Sequence, residues 1–269
     1  MDKKNIEDIL PLTASQGGIL WHHLVEPESQ LYWNQNCFKI EGELDKILFR
    51  KAWDSILSRH TALRSAIYSK DPAKPLQIVL KSVTLPWQEE SLTSLTTEEQ
   101  SAFLEKLLKE DREKGCDLQN GPLMRFYLLK LSSNLHQFIW SNHHILLDGW
   151  SVSVVINELW QLYEGLLKNS NPQLPHPTGF KNHVDWLKTQ TLTASLDFYR
   201  EYLAGFKAPT PFPSAKQVDN SYKRGTSYDE CTQKLDPEVV ARLEILAKKE
   251  KLTMNLIFQA VWGLLLSIY

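Results

Sequence analysis

Up to Pro172 the apolar positions of the chain repeat with two alternating periods, and the switches between them mark its elements. Residues 32–40 read as a strand. Over 44–59, Leu44, Ile47, Leu48, Ala52 and Ile56 return every three or four positions, which is the spacing of one helix face. Residues 63–68 and 76–80 are strand segments separated by a turn at Lys70-Asp71-Pro72-Ala73. A charged amphipathic helix is predicted over 98–113. Residues 123–131 and 135–141 form a hairpin about Ser132-Ser133-Asn134, and a third helix follows over 152–168. A hairpin inside an α/β alternation predicts a mixed sheet flanked by helices, not a wholly parallel one.

The pattern breaks at Asn171-Pro172-Gln173-Leu174-Pro175-His176-Pro177, where three prolines forbid both helix and central strand. This predicts one lobe over 1–175 and a second over 176–269. Residues 180–205 read as one or two helices ending at Gly205, and a proline-rich spacer covers 209–213. A strand is predicted near 226–235, then a helix with Asp236 as N-cap and Pro237 at its first position. Over 253–269 almost no polar face remains, with Leu256, Ile257, Phe258, Val261, Trp262, Leu264, Leu265, Leu266 and Ile268 on all sides. Such a helix calls for burial all round. The second lobe therefore reads as incomplete, a truncated domain.

Composition narrows the function classes. With 269 residues, 42% of them hydrophobic, the chain can bury one large core or two smaller ones. A net charge of −2 supplies no electrostatic reason to bind nucleic acid. Cys37, Cys116 and Cys231 are too few and too scattered for a disulfide framework or a zinc site, which favours a reduced, cytoplasmic setting. No signal peptide is apparent, and no apolar run is long enough to span a membrane.

The densest chemistry lies in Ser141-Asn142-His143-His144-Ile145-Leu146-Leu147-Asp148-Gly149-Trp150-Ser151, between a predicted strand and a predicted helix. Strand ends that turn into helices set side chains beside the N–H groups of a helix N-terminus. Histidine, with a free pKa of roughly 6.5, exchanges protons near neutral pH. Adjacent strand residues face opposite sides, so His143 and His144 make a poor metal set with Asp148, His22, His23 or His136. No metal is predicted. His143 reads as a packed histidine hydrogen-bonded to backbone, and Gly149 as a point of close approach or unusual dihedral. Trp21, Trp33, Trp53, Trp140, Trp150 and Trp186 read as core or groove-lining residues, and no nucleotide-binding loop is present.

Three motifs occur in order: Leu12-Thr13-Ala14-Ser15-Gln16 with Leu20-Trp21-His22, then Arg59-His60-Thr61-Ala62-Leu63-Arg64, then His143 to Ser151 followed by Glu158-Leu159. In them the chain resembles the condensation domains of nonribosomal peptide synthetases, within the superfamily that includes chloramphenicol acetyltransferase. The resemblance implies a chloramphenicol acetyltransferase-like α/β fold whose second lobe begins after the 180–205 helices. The family's later motifs are absent, so independent activity of the chain is not expected.

The resemblance also implies a chemistry. The amine of an acceptor aminoacyl thioester attacks the carbonyl of a donor peptidyl thioester, both presented on 4'-phosphopantetheine arms. The implied partners are upstream donor and downstream acceptor peptidyl carrier proteins and an adjacent adenylation domain. No cofactor is bound directly. His144 matches the residue at the reacting centre, as general base or as a hydrogen-bonding group that holds amine or intermediate. His143, Asp148 and Gly149 complete the motif. Asp148 is expected to turn inward and pair with Arg64, with Trp150 and Ser151 supporting the loop. Gln16 to Leu24 and Ile145 to Trp150 resemble the subtype that accepts a D-configured donor, the L-donor subtype being the competing reading. An acyltransferase using free acyl-CoA and a non-catalytic lobe that docks carrier proteins are the alternatives.

Overall fold

Alternating apolar residues in a tight hairpin build the centre of the computed structural model, which describes residues 3–27, 29–71, 73–170, 172–208 and 232–268. Strands β6 (Met124–Ser132) and β7 (Leu135–His143) pair antiparallel. Strand β2 (Trp33–Glu41) lies antiparallel on the far side of β7, and β5 (Trp87–Ser91) runs parallel to β6. The order β2-β7-β6-β5 is the mixed sheet expected. A second, three-stranded sheet, β1-β4-β3, is wholly antiparallel: β1 (Ile6–Pro11), β4 (Leu76–Leu80) and β3 (Ser65–Tyr68).

The pleat sends alternate residues to two cores. Phe126, Leu128, Phe138 and Trp140 meet Phe49, Trp53 and Ile56 of α2 (Lys46–Arg59) and Val155, Leu159 and Tyr163 of α4 (Gly149–Leu167). On the opposite face Tyr127, Leu129 and Ile139 meet Phe103, Leu104, Leu107 and Leu108 of α3 (Thr97–Lys114). Burying one such side chain is worth roughly 1.5–3 kcal/mol, so the helices are fixed to the sheet by their apolar stripes. Asp45 caps α2 through Ile47 and Leu48 N–H, and Thr96 with Glu99 forms a capping box on α3.

Three elements lacked a periodic signal in the sequence: β1, β5 and helix α1 (Ala14–Val25). Strand β5 is polar over Gln88 to Ser91 and is held by its ladder to β6, a tertiary pairing that no local pattern encodes. The first compact unit runs from Met1 to Gln190. It includes α5 (Phe180–Thr189), because Val184 and Phe180 pack on Leu10 and Val79 of the three-stranded sheet.

The second unit, Thr191–Tyr269, contains α6 (Thr193–Tyr202), α7 (Pro237–Glu250) and α8 (Met254–Ile268). Asp236 caps α7 with Pro237 at its start, as predicted. Lys251 closes α7 in the left-handed conformation, and Leu252 N–H donates to Ala247 O. Leu256, Phe258, Val261, Leu264 and Ile268 of α8 are exposed. The spacer at 209–213, Cys231 and most of the strand predicted near 226–235 lie outside the described residues. Among the described residues no single helix is long and apolar enough to cross a membrane.

Candidate active site

Strand β7 ends at His143, and the chain turns through Ile145 to Leu147 before Asp148 caps α4. His143 is 3% exposed, and its Nδ1 accepts the Ile145 N–H at 3.2 Å. Burial, with His23 and His144 nearby, pushes its pKa down to about 3. A neutral ring that braces the turn is what this geometry provides.

His144 faces the other way. Its N–H donates to Tyr32 O at 2.8 Å, and its ring lies parallel to the Tyr32 ring at 6.4 Å. Nδ1 is 3.1 Å from Asn34 Nδ2, while Nε2 has no hydrogen-bond partner among the described residues. The ring lines a cleft of about 810 Å³, with Ile19, Leu63, Leu147, Val154 and Phe180 as apolar wall. A histidine with one nitrogen held and one free, at the rim of an apolar cleft, can donate to or accept from a bound substrate.

Asn34 is itself anchored from behind. Its neighbours Trp33 and Gln35 point to the opposite sheet face, where Trp33 Nε1 and Gln35 Nε2 each donate to Asp111 Oδ2 at 2.8 Å. Arg125 Nε (2.6 Å) and Tyr127 OH (2.8 Å) donate to the other carboxylate oxygen. Burial alone would raise the Asp111 pKa, but the hydrogen bonds from Trp33, Arg125 and Gln35 hold the carboxyl below its ordinary value.

Two further networks shape the cleft. Gln16 Nε2 donates to Ile145 O (3.2 Å), the carbonyl next after His144, and to Gln77 Oε1 (2.8 Å). Gln77 Nε2 in turn donates to Ser65 Oγ (2.8 Å). Gln16, Gln77 and Ser65 are all buried, so Gln16 ties the first motif directly to the active-site turn and, through Gln77 and Ser65, to the three-stranded sheet. At the other wall, Glu158 Oε2 takes Arg59 Nε and His60 Nε2, each at 2.7 Å, and Arg59 Nη2 also donates to Pro175 O. The segment after Pro172 can lie back on α4 because Gly165 has no Cβ; one built there would sit 2.7 Å from Pro172 Cδ.

The structure corrects the expected roles of four residues. Asp148 is exposed and does not turn inward: its Oδ1 accepts Ser151 N–H (2.8 Å) and Ser151 Oγ–H (2.7 Å) as the N-cap of α4. Those hydrogen bonds lower its pKa. Arg64, 5% exposed, spends its guanidinium on Leu57 O, Leu80 O and Lys81 O and on Glu7 Oε2 at 2.6 Å. The inward carboxylate partner is thus replaced by backbone carbonyls and by a residue of β1. Gly149 has neither a positive φ nor a neighbour within 4 Å of a built Cβ, so the crowding expected of it is absent. Trp150 is 84% exposed and takes no part in the core. Of the tryptophans expected in core or groove, Trp33, Trp53 and Trp140 are in the core, and Trp21 and Trp186 are at the surface.

Sequence reasoning missed Tyr32, Asn34, Gln77 and Ser65. Tyr32 and Asn34 reach His144 only through the β2–β7 register, in which Asn34 opposes Asn142. Gln16 did carry a signal, the Thr13-x-x-Gln16 capping box, whose side-chain and backbone bonds both form.

Comparison with known proteins gives the family. Residues 6–269 match the family profile described as Condensation domain. The chain is 36% identical to a linear gramicidin synthase of Brevibacillus parabrevis and 31% identical to bacitracin synthase 1 of Bacillus licheniformis. Each alignment covers 98% of this chain and 5% of the relative. The starter condensation domain of rhizomide synthetase RzmA superposes with a TM-score of 0.66 at 19% identity, over 76% of this chain and 50% of that one. The first condensation domain of the calcium-dependent antibiotic synthetase gives 0.68 at 19%, over 78% and 50%. The chain thus spans about half the length of these solved domains, with their α/β fold, and a small part of the curated synthetases. With its three ordered motifs and a profile match from Ile6 to Tyr269, the chain belongs to the condensation domain family.

Proposed function

We propose that this chain is part of a domain that forms a peptide bond between carrier-bound thioesters in peptide antibiotic biosynthesis, with His144 at the reacting centre. The observation that carries the reading is His144 itself, a residue of the cleft wall whose Nδ1 meets Asn34 and whose Nε2 has no hydrogen-bond partner among the described residues. The acceptor amine attacks the donor carbonyl, the C–N bond forms and the C–S bond breaks. The thiolate of the donor's pantetheine arm leaves with the proton that the amine gives up. Both arms belong to carrier proteins, so the substrates arrive tethered and the reaction gains from proximity. His143, buried and uncharged, has a bracing role, and Asp148 with Ser151 sets the start of α4.

The test uses the domain in its parent synthetase, with loaded donor and acceptor carriers. His144→Ala is expected to lower condensation by about 10²-fold or more while leaving thermal unfolding unchanged. Normal turnover by that variant overturns the assignment. Faster reaction with free acyl-CoA than with the loaded carrier would make the protein an acyltransferase of another class.

A further inference from the structure

We propose that Asn34 is a positioning residue that keeps His144 in the tautomer carrying its proton on Nε2, so that the imidazole acts on the substrate as a hydrogen-bond donor. The inference rests on the proposed place of His144 at the reacting centre and says which way its proton points. The geometry runs through one contact and its support. The Asn34 amide nitrogen faces His144 Nδ1 at 3.1 Å, and an amide nitrogen can only donate. In this orientation of the amide Nδ1 presents a lone pair, and the single proton of a neutral ring sits on Nε2. The backbone N–H of His144 donates to Tyr32 O, which fixes the main chain under the ring, and the Tyr32 ring lies parallel to the imidazole at 8°. The backbone at Asn34 is fixed in turn, because Trp33 and Gln35 on either side are bonded to buried Asp111.

The chemistry suits a donor. An α-amino group with a pKa of roughly 7.7–8.0 is already partly uncharged near neutral pH, so attack on an activated thioester needs no strong base. What the attack creates is an oxyanion on the former carbonyl, and Nε2–H can donate to it. The C–N bond forms, the tetrahedral intermediate collapses, and the C–S bond breaks. The proton lost by the amine goes through solvent to the departing thiolate, while His144 keeps its own.

Asn34→Asp reverses the contact, because a carboxylate only accepts: the neutral ring would carry its proton on Nδ1 and leave Nε2 bare. Asn34 is exposed, so the substitution spares the core, and Asn34→Leu serves as the variant that removes the contact without reversing it. On the 269-residue chain, nitrogen NMR of His144 should show the Nε2–H tautomer in the native protein and the Nδ1–H tautomer in N34D once the ring is neutral. An Nδ1–H native ring, or a tautomer indifferent to N34D, overturns the proposal without bearing on peptide-bond formation. In the parent synthetase the readout is the rate ratio of N34D to the native enzyme, in which titration of the substrate amine cancels. A doubly protonated ring in N34D still donates from Nε2, whereas its neutral ring, with the proton on Nδ1, does not. The ratio should therefore fall by about tenfold or more between pH of about 6 and about 9, whereas N34L, which frees the ring without reversing it, should lower the rate by a factor that does not change with pH. A ratio that stays level or climbs with pH makes His144 a base and overturns the donor role.

Discussion

Asp148 and Arg64 show how a side chain's chemistry leaves its partner open. Both belong to recognisable motifs, and opposite charges in such motifs suggest a bridge, yet each is satisfied elsewhere. Asp148 accepts two bonds from Ser151 at the start of α4, and Arg64 serves carbonyls of Leu57, Leu80 and Lys81 together with Glu7. Asp148→Ala should therefore cost about 0.5–2 kcal/mol, the usual worth of an N-cap. Arg64→Ala should cost more, because buried carbonyls lose a charged donor worth about 1.5–3 kcal/mol. Denaturant unfolding of the double variant should equal the sum of the singles within about 0.5 kcal/mol. A larger coupling between the two would mean that the residues meet after all.

At the scale of elements, the active-site turn is held by strands and helices remote from it in sequence. Gln16 starts α1, Gln77 lies in β4 and Ser65 begins β3, and their buried chain ends on the Ile145 carbonyl. Gln16→Leu leaves Gln77 Oε1 and Ile145 O without that donor in a buried place, a cost of about 1–3 kcal/mol. Gln77→Leu breaks the same chain, so the double variant should be less harmful than the two singles summed. Strict additivity in chemical denaturation would show that the two amides act independently. The capping box at Thr13 was visible in the sequence because it is local. Its second use, across 129 positions to Ile145, was not, because that contact exists only after both sheets have formed.

On the whole-molecule scale the two units differ in how well they bury their apolar residues. The first encloses Trp53, Trp140, Phe49 and Phe126 almost completely. The second buries Ala247 and Ile257 but exposes Leu196, Phe198, Leu256, Phe258, Leu264 and Ile268. Monomers rarely leave apolar patches larger than a few hundred Å² open to water. The isolated 269-residue chain should accordingly associate, with light scattering giving a mass that rises with concentration above 31.1 kDa. Replacing Leu264 and Ile268 by lysine should lower that mass. A monodisperse monomer at high concentration would contradict the expectation.

Local rules were enough for the amphipathic helices α2, α3 and α4, the β6–β7 hairpin, the capped start of α7 and the place of His144 after a strand. Each rests on residues a few positions apart, where period, turn residues and caps act. The partners of His144, the true ligands of Arg64, the polar strand β5 and the attachment of α5 to the first unit were decided by tertiary structure. Strand register and packing join residues tens of positions apart. Which asparagine meets which histidine follows only once β2 has been laid against β7, with Trp33 and Gln35 pinned to Asp111 on its other face.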